Sequence, residues 1–148
     1  KESMSIAKTL AWSLTSSAKQ ISLVEKFDKT KIQGIHIHCP EGAVPKDGPS
    51  AGTAITVAIY SVLNNKPIKN NVAITGEITL QGEVTAIGGL ELKILGGMKA
   101  NVTTFIFPKD NVNNYEKFKE KYDKDGFLDG ITFIPVSHIK EVLKLVFA

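Results

Sequence analysis

From Ile35 to the C-terminus the hydrophobic pattern switches back and forth between a period of two and a period near 3.6, and this alternation limits the architectures the chain can adopt. "KIQGIHIHC" sets Ile35 and Ile37 against His36 and His38, the signature of a strand. "SAGTAITVAIYSVLNN" is small and apolar enough to form a buried helix, and it stops at Asn64, Asn65 and Pro67. "VAITGEITLQGEVTAIGG" reads as two short strands joined at Gln81 and Gly82, and its glycine pair opens a helix from Leu90 to about Ala100. "TTFIFP" is a buried strand ended by Pro108, "NVNNYEKFKEKYDKD" a helix with a polar face, "GITFIPV" a strand, and "SHIKEVLKLVFA" a last helix capped by Ser137. Upstream, Met4, Ile6, Ala7, Leu10, Ala11, Leu14 and Ala18 recur at helical spacing, which predicts one surface helix from Glu2 to about Gln20. The expected fold is α/β, a mixed sheet with helices layered on it.

A length of 148 residues fits one domain with a core of its own. A hydrophobic fraction of 43% and a charged fraction of 22% match a soluble globular protein, and no apolar run reaches the ~18 residues of a membrane span. The opening "KESMSIAKTLAWSL" lacks the pattern of a signal peptide. The net charge is only +3 and every basic residue is Lys, so the bidentate fork that grips phosphate and reads guanine is missing and no nucleic-acid site is expected. Cys39 stands alone, which excludes an internal disulfide, fits a reducing compartment and reads as a small buried hydrophobe.

Chemistry concentrates in "EGAVPKDGPSAGTAITVAIY". A Ser before a helix of small residues is ordinarily an N-cap. Gly48, Pro49, Ala51 and Gly52, however, leave little bulk around the Ser50 hydroxyl, and N–H groups at a helix start can stabilise an oxyanion, so Ser50 is also a candidate nucleophile. A P-loop is excluded, because "DGPSAGT" lacks the lysine that would reach the β- and γ-phosphates. His36 and His38 offer a base or an H-x-H metal pair, against which stands the plain reading of a polar strand face with no third ligand at a recognisable spacing. Lys93 shares a helix stripe with Leu90, Ile94 and Gly97. Desolvation there would lower its pKa and make it a base, whereas a lysine that snorkels from the stripe edge would be only a surface cation.

"HIHCPEGAVPKDGPSAGTAITVAIYS" followed by "VAITGEITLQGEVTAIGGLELKILGGMKA" closely resembles the peptidase domain of the ATP-dependent Lon proteases, in the soluble A-type form. The resemblance runs from the first helix to the end of the chain. It implies that Ser50 is the nucleophile and Lys93 its base in a dyad that cleaves peptide bonds through an acyl-enzyme, with no metal. It implies further that the Thr75 hydroxyl hydrogen-bonds the dyad lysine and that Asp47 belongs to the loop gating the site. Its partners would be unfolded or damaged proteins, its assembly a homo-hexamer, and its setting a cytoplasm or an organelle matrix. No cofactor is expected within these residues, while ATP and Mg are expected to serve an ATPase module upstream.

The chain departs from the family pattern after I-G-G-L, where Glu91 and Leu92 replace the usual Lys and Glu while Lys93 keeps its register. It also starts at the first helix, without the β-structure that usually precedes it, so residues 1–148 are expected to be an N-terminally truncated Lon-type peptidase domain. Two alternatives from other classes are an inactive structural or oligomerisation module and a nucleotide-binding domain of the GHMP-kinase type, whose fold is similar.

Overall fold

The computed structural model describes residues 2–30 and 51–148, with side chains over 4–25 and 51–148. The expected strand around Ile35 and Ile37, with His36, His38 and Cys39, lies outside the described residues, as does the loop that carries Asp47 and Ser50. The single N-terminal helix is in fact two, α1 (Glu2–Leu14) and α2 (Ser17–Thr30). The break is made by hydroxyls. Thr15 Oγ1 donates back to Ala11 O (2.9 Å), and Ser16 Oγ accepts the Lys19 N–H (3.3 Å), the bond of an N-capping serine. The helical period passes through the break, so the apolar pattern alone conceals it.

Helix α3 (Gly52–Asn64) matches its expected span and ends on Asn65 in the left-handed conformation (φ 51°). Ala7 and Ala11 of α1 are fully buried against Ile59 and Leu63 of α3, and side chains this small let the two helices approach closely.

The β-structure is mixed, as expected for this α/β class. Strands β1 (Val72–Ile74), β4 (Thr104–Pro108) and β5 (Thr132–Val136) form a parallel sheet in that order, with Val72 opposite Thr104 and Thr104 opposite Thr132. Strands β2 (Glu77–Ile78) and β3 (Val84–Thr85) form an antiparallel pair joined through Gln81 and Gly82. Helix α4 (Leu90–Lys99) lies between β1 and β4 in the chain, and α5 (Val112–Tyr122) between β4 and β5. Crossovers of one hand that add strands in one direction place both helices on one face.

The side chains confirm that layering by strand alternation. Ala73, Phe105, Phe107 and Phe133 point to α4 and α5, where they meet Leu90, Ile94 and Phe118. Phe105 stacks on Phe133 (centroids 5.6 Å, planes 16° apart). Val72, Ile74, Ile106, Ile134 and Val136 point the other way, towards Leu10 of α1, Val57 of α3 and the C-terminal helix α6 (Ile139–Leu143). Fully burying an aliphatic side chain is worth roughly 1.5–3 kcal/mol, so these two faces supply much of what holds the layers together.

Ser137 does not cap α6. The cap is His138, whose Nδ1 accepts the Lys140 N–H (3.2 Å). Ser137 instead donates its N–H (2.9 Å) and its hydroxyl (3.0 Å) to the Glu141 carboxylate, which also accepts the His138 N–H (3.0 Å). These donors, Ser137 foremost, hold the Glu141 carboxyl below its ordinary pKa.

Candidate functional site

The position before α3 falls on Ala51, whose side chain cannot cap the helix, and Ser50 itself lies outside the described residues. The chain passes from Ser50 through Ala51 into a helix start that is fastened to the segment after β1. Thr53, fully buried, donates its N–H to Gly76 O (3.1 Å), and its hydroxyl is directed at Glu77 O (3.4 Å). Gly52 is pressed so closely on Ile78 that a Cβ there would lie 2.8 Å from Ile78 Cγ2. Gly76 has φ +148°, and a Cβ on it would meet Val84 Cγ1 at 2.5 Å and Thr53 Oγ1 at 3.0 Å, so no other residue suits this junction.

Thr75 occupies the carboxyl end of β1, beside that junction. Its N–H donates to Ile106 O (3.0 Å), continuing the β1–β4 pairing by one residue. Its Oγ1 exposes less than 1 Å² and has no hydrogen-bond partner among the described residues. A hydroxyl in that state costs about 1–3 kcal/mol, so an unpaired one calls for an explanation. The carboxyl edge of a parallel sheet, where crossover connections diverge, is where α/β folds ordinarily place ligands. Thr75 and the start of α3 are brought together at that edge.

Lys93 stands on the first turn of α4, its N–H bonded to Gly89 O (3.1 Å). The expected desolvation is not observed. Leu90 and Ile94 are buried at 4% and 1%, whereas the Lys93 side chain is exposed, because it lies at the edge of the stripe and not within it. Burial against Leu90 and Ile94 is therefore no argument for a base at this position. The departures from the family pattern have definite surroundings. Glu91 Oε2 accepts from Tyr122 OH (3.3 Å) and Lys121 Nζ (3.4 Å), which ties α4 to α5, and its charge raises the Lys121 pKa. Leu92, 74% exposed, joins Leu95, Met98 and Phe127 along an open apolar depression.

One polar side chain that sequence reasoning overlooked is Asn111, 2% exposed at the end of the 3-10 turn Lys109–Asn111. Its Oδ1 accepts the Ile87 N–H and its Nδ2 donates to Ile87 O, both at 2.9 Å, and Nδ2 also donates to Asn114 Oδ1 at 2.9 Å. Its position after the strand-ending Pro108 was the available signal, but a turn asparagine reads as solvent-facing unless the fold is known. Among the described residues no three His, Cys, Asp or Glu side chains converge as metal ligands, and no helix is long and apolar enough to cross a membrane.

The parallel three-stranded sheet, its paired crossover helices and the threonine junction at its carboxyl edge define an α/β domain with one candidate catalytic edge. Across residues 1–148 the chain matches the family described as Lon protease (S16) C-terminal proteolytic domain. It is 43% identical to Lon protease of Buchnera aphidicola over 145 residues, which are 98% of this chain and 17% of that protein. It is 48% identical to Lon protease 1 of Bacillus subtilis over 120 residues, 81% of this chain and 14% of that protein. It is 41% identical to the mitochondrial Lon protease homolog of Debaryomyces hansenii over 149 residues, 99% of this chain and 13% of that protein. The chain belongs to the Lon protease family, within its proteolytic domain. It spans only 13–17% of the length of these three curated relatives.

Proposed function

We propose that this domain hydrolyses peptide bonds with Ser50 as nucleophile and Lys93 as general base. The Ser50 oxygen attacks the scissile carbonyl carbon as the neutral Lys93 amine takes its proton. The proton passes to the departing amine, leaving an acyl-enzyme, and a water deprotonated by the same lysine then releases the acid. N–H groups at the start of α3 stabilise the oxyanion. Thr75 orients the Lys93 amine through its hydroxyl, and Asp47 serves the loop that opens and closes the site.

The observation that carries this reading is the match of the whole chain to the proteolytic domain family, together with the position of both motifs within it. The buried Thr75 hydroxyl supports it from the side of physical chemistry, since it is a polar atom without a partner among the described residues, beside the start of α3. For the whole protein we infer a ring of identical subunits in a cytoplasm or organelle matrix, in which ATP and Mg act at a separate module to deliver unfolded or damaged proteins to this domain.

The test is labelling by a serine-directed fluorophosphonate and cleavage of a fluorogenic peptide. Ser50→Ala should abolish labelling and leave the fold intact. Lys93→Ala and Lys93→Arg should be about equally damaging, because a guanidinium cannot take up the proton. His38→Ala should leave both readouts unchanged. Full labelling of Ser50→Ala refutes the nucleophile, and activity that survives Lys93→Arg but is lost in His38→Ala refutes the base.

A further inference from the structure

We propose that Asn111 is a positioning residue for the candidate base, its buried amide fixing the turn from which α4 rises and thereby the place of Lys93. The inference rests on the dyad reading for its functional meaning and on geometry for the rest.

In the turn between β3 and α4, Ile87 packs at the edge of the core beneath the helix, but the two residues after it have little to hold them. Gly88 and Gly89 are exposed, a Cβ on either would meet nothing within 4 Å, and Gly89 begins the helix at φ 70° with no side-chain cap. Leu90 and Ile94 press α4 onto the sheet by non-directional contact, and Glu91 ties it to α5 only through bonds of 3.3 and 3.4 Å, an arrangement that leaves some freedom along the helix axis. A pair of hydrogen bonds in one amide plane does not. Asn111 supplies such a pair to both polar groups of Ile87, and its second amide hydrogen goes to Asn114. The site asks for one acceptor and two donors on a short side chain that is 2% exposed, a combination that asparagine alone provides.

The clamp is referenced to β4. Asn111 closes the 3-10 turn that follows Pro108, the last residue of that strand, and the Val112 N–H bonds Lys109 O within the turn. Thr75 is bonded to the same strand through Ile106 O. One strand therefore holds the threonine on one side and the helix start on the other. From the clamp the chain runs through Ile87, Gly88 and Gly89 into the first turn of α4, where Lys93 bonds Gly89 O. If the clamp loosens, the helix start can shift along its axis while the core remains closed, and a displacement of about 1 Å at a catalytic group can cost on the order of 100-fold in rate.

The experiment compares the parent chain with Asn111→Ala, Asn111→Asp and, as a control of comparable destabilisation in the opposite core, Val142→Ala. Amide hydrogen exchange over residues 87–93 is read first. Exchange at Ile87 should rise about tenfold or more in Asn111→Ala while β4 stays protected. It should rise less in Asn111→Asp, which keeps the acceptor for the Ile87 N–H but sets a carboxylate against Ile87 O. Peptide cleavage per folded molecule is read second, and should fall about 10- to 100-fold in kcat with KM unchanged in Asn111→Ala, with no such loss in Val142→Ala. Unchanged protection at 87–93 overturns the clamp. Lost protection with unchanged kcat overturns its role in positioning the base. Cleavage that survives Lys93→Ala in the parent chain refutes the dyad, and with it the functional half of the proposal, whereas the exchange result stands on its own.

Discussion

Replacing Thr75 by valine should stabilise the protein and disable it at once. The exchange is close to isosteric, with a methyl taking the place of a hydroxyl that exposes less than 1 Å² and has no partner among the described residues. In the resting fold the substitution removes a buried unsatisfied group, which costs about 1–3 kcal/mol, and sacrifices no hydrogen bond. Near 150 residues, 1 kcal/mol corresponds to about 2–4 °C in Tm, so an increase of at least that size is expected. The acylation rate should fall about 10-fold or more, since the lysine amine would lose the hydroxyl that orients it. Thr75→Ser, which keeps the oxygen, should preserve most of the rate without the gain in Tm. Thermal unfolding followed by circular dichroism, with fluorophosphonate labelling on the same samples, measures both effects. A fall in Tm for Thr75→Val would show that the hydroxyl is bonded in the folded state and would remove the physical argument for its role.

Two adjacent glycines of α4 should respond in opposite directions to alanine. Gly96 is exposed with open space around it, so Gly96→Ala should gain roughly 0.5–1 kcal/mol of helix propensity, seen as a higher urea midpoint. A Cβ on Gly97 would lie 2.5 Å from Phe105 Cε1, so Gly97→Ala should lose about 1–3 kcal/mol by lifting α4 off the sheet, and an unchanged midpoint would contradict the packing described. The Glu141 carboxyl is held below its usual pKa of 4.5, so its contribution to stability is present above that value and lost as pH falls through the lowered folded value. Glu141→Gln should therefore flatten the acid limb of the stability profile below about pH 4.5, and an identical limb in the variant would show that the Ser137 and His138 bonds carry no stability.

The layers were legible because strand and helix periods write themselves into the residues that face a core. Phe105 and Phe107 alternate with Ile106, and Leu90 with Ile94 marks the buried side of α4. What pattern could not show depends on single polar atoms. The break at Thr15 and Ser16 preserves the apolar period and is made by two hydroxyls. The α6 cap moved from Ser137 to His138 because Glu141 claims the serine for itself. Lys93 was placed on the right helix and the right turn, but stripe membership could not separate a residue inside the stripe from one at its edge. Asn111 escaped notice because a buried amide and a solvated one are identical until the fold closes around one of them. Ser50 was a candidate from the small residues around it and Asp47 from motif resemblance alone, and both lie outside the described residues.

The order of the parallel strands has a consequence for how such a domain comes into being. The sheet reads β1, β4, β5 from one side to the other, which is also the order in which a ribosome delivers them. Among the described strands each arrival lands on an edge already waiting for it, and none of the three has to wedge between two that have paired. Every return trip is also a local one, made by the helix just synthesised. The layer of α4 and α5 can therefore grow by accretion during translation.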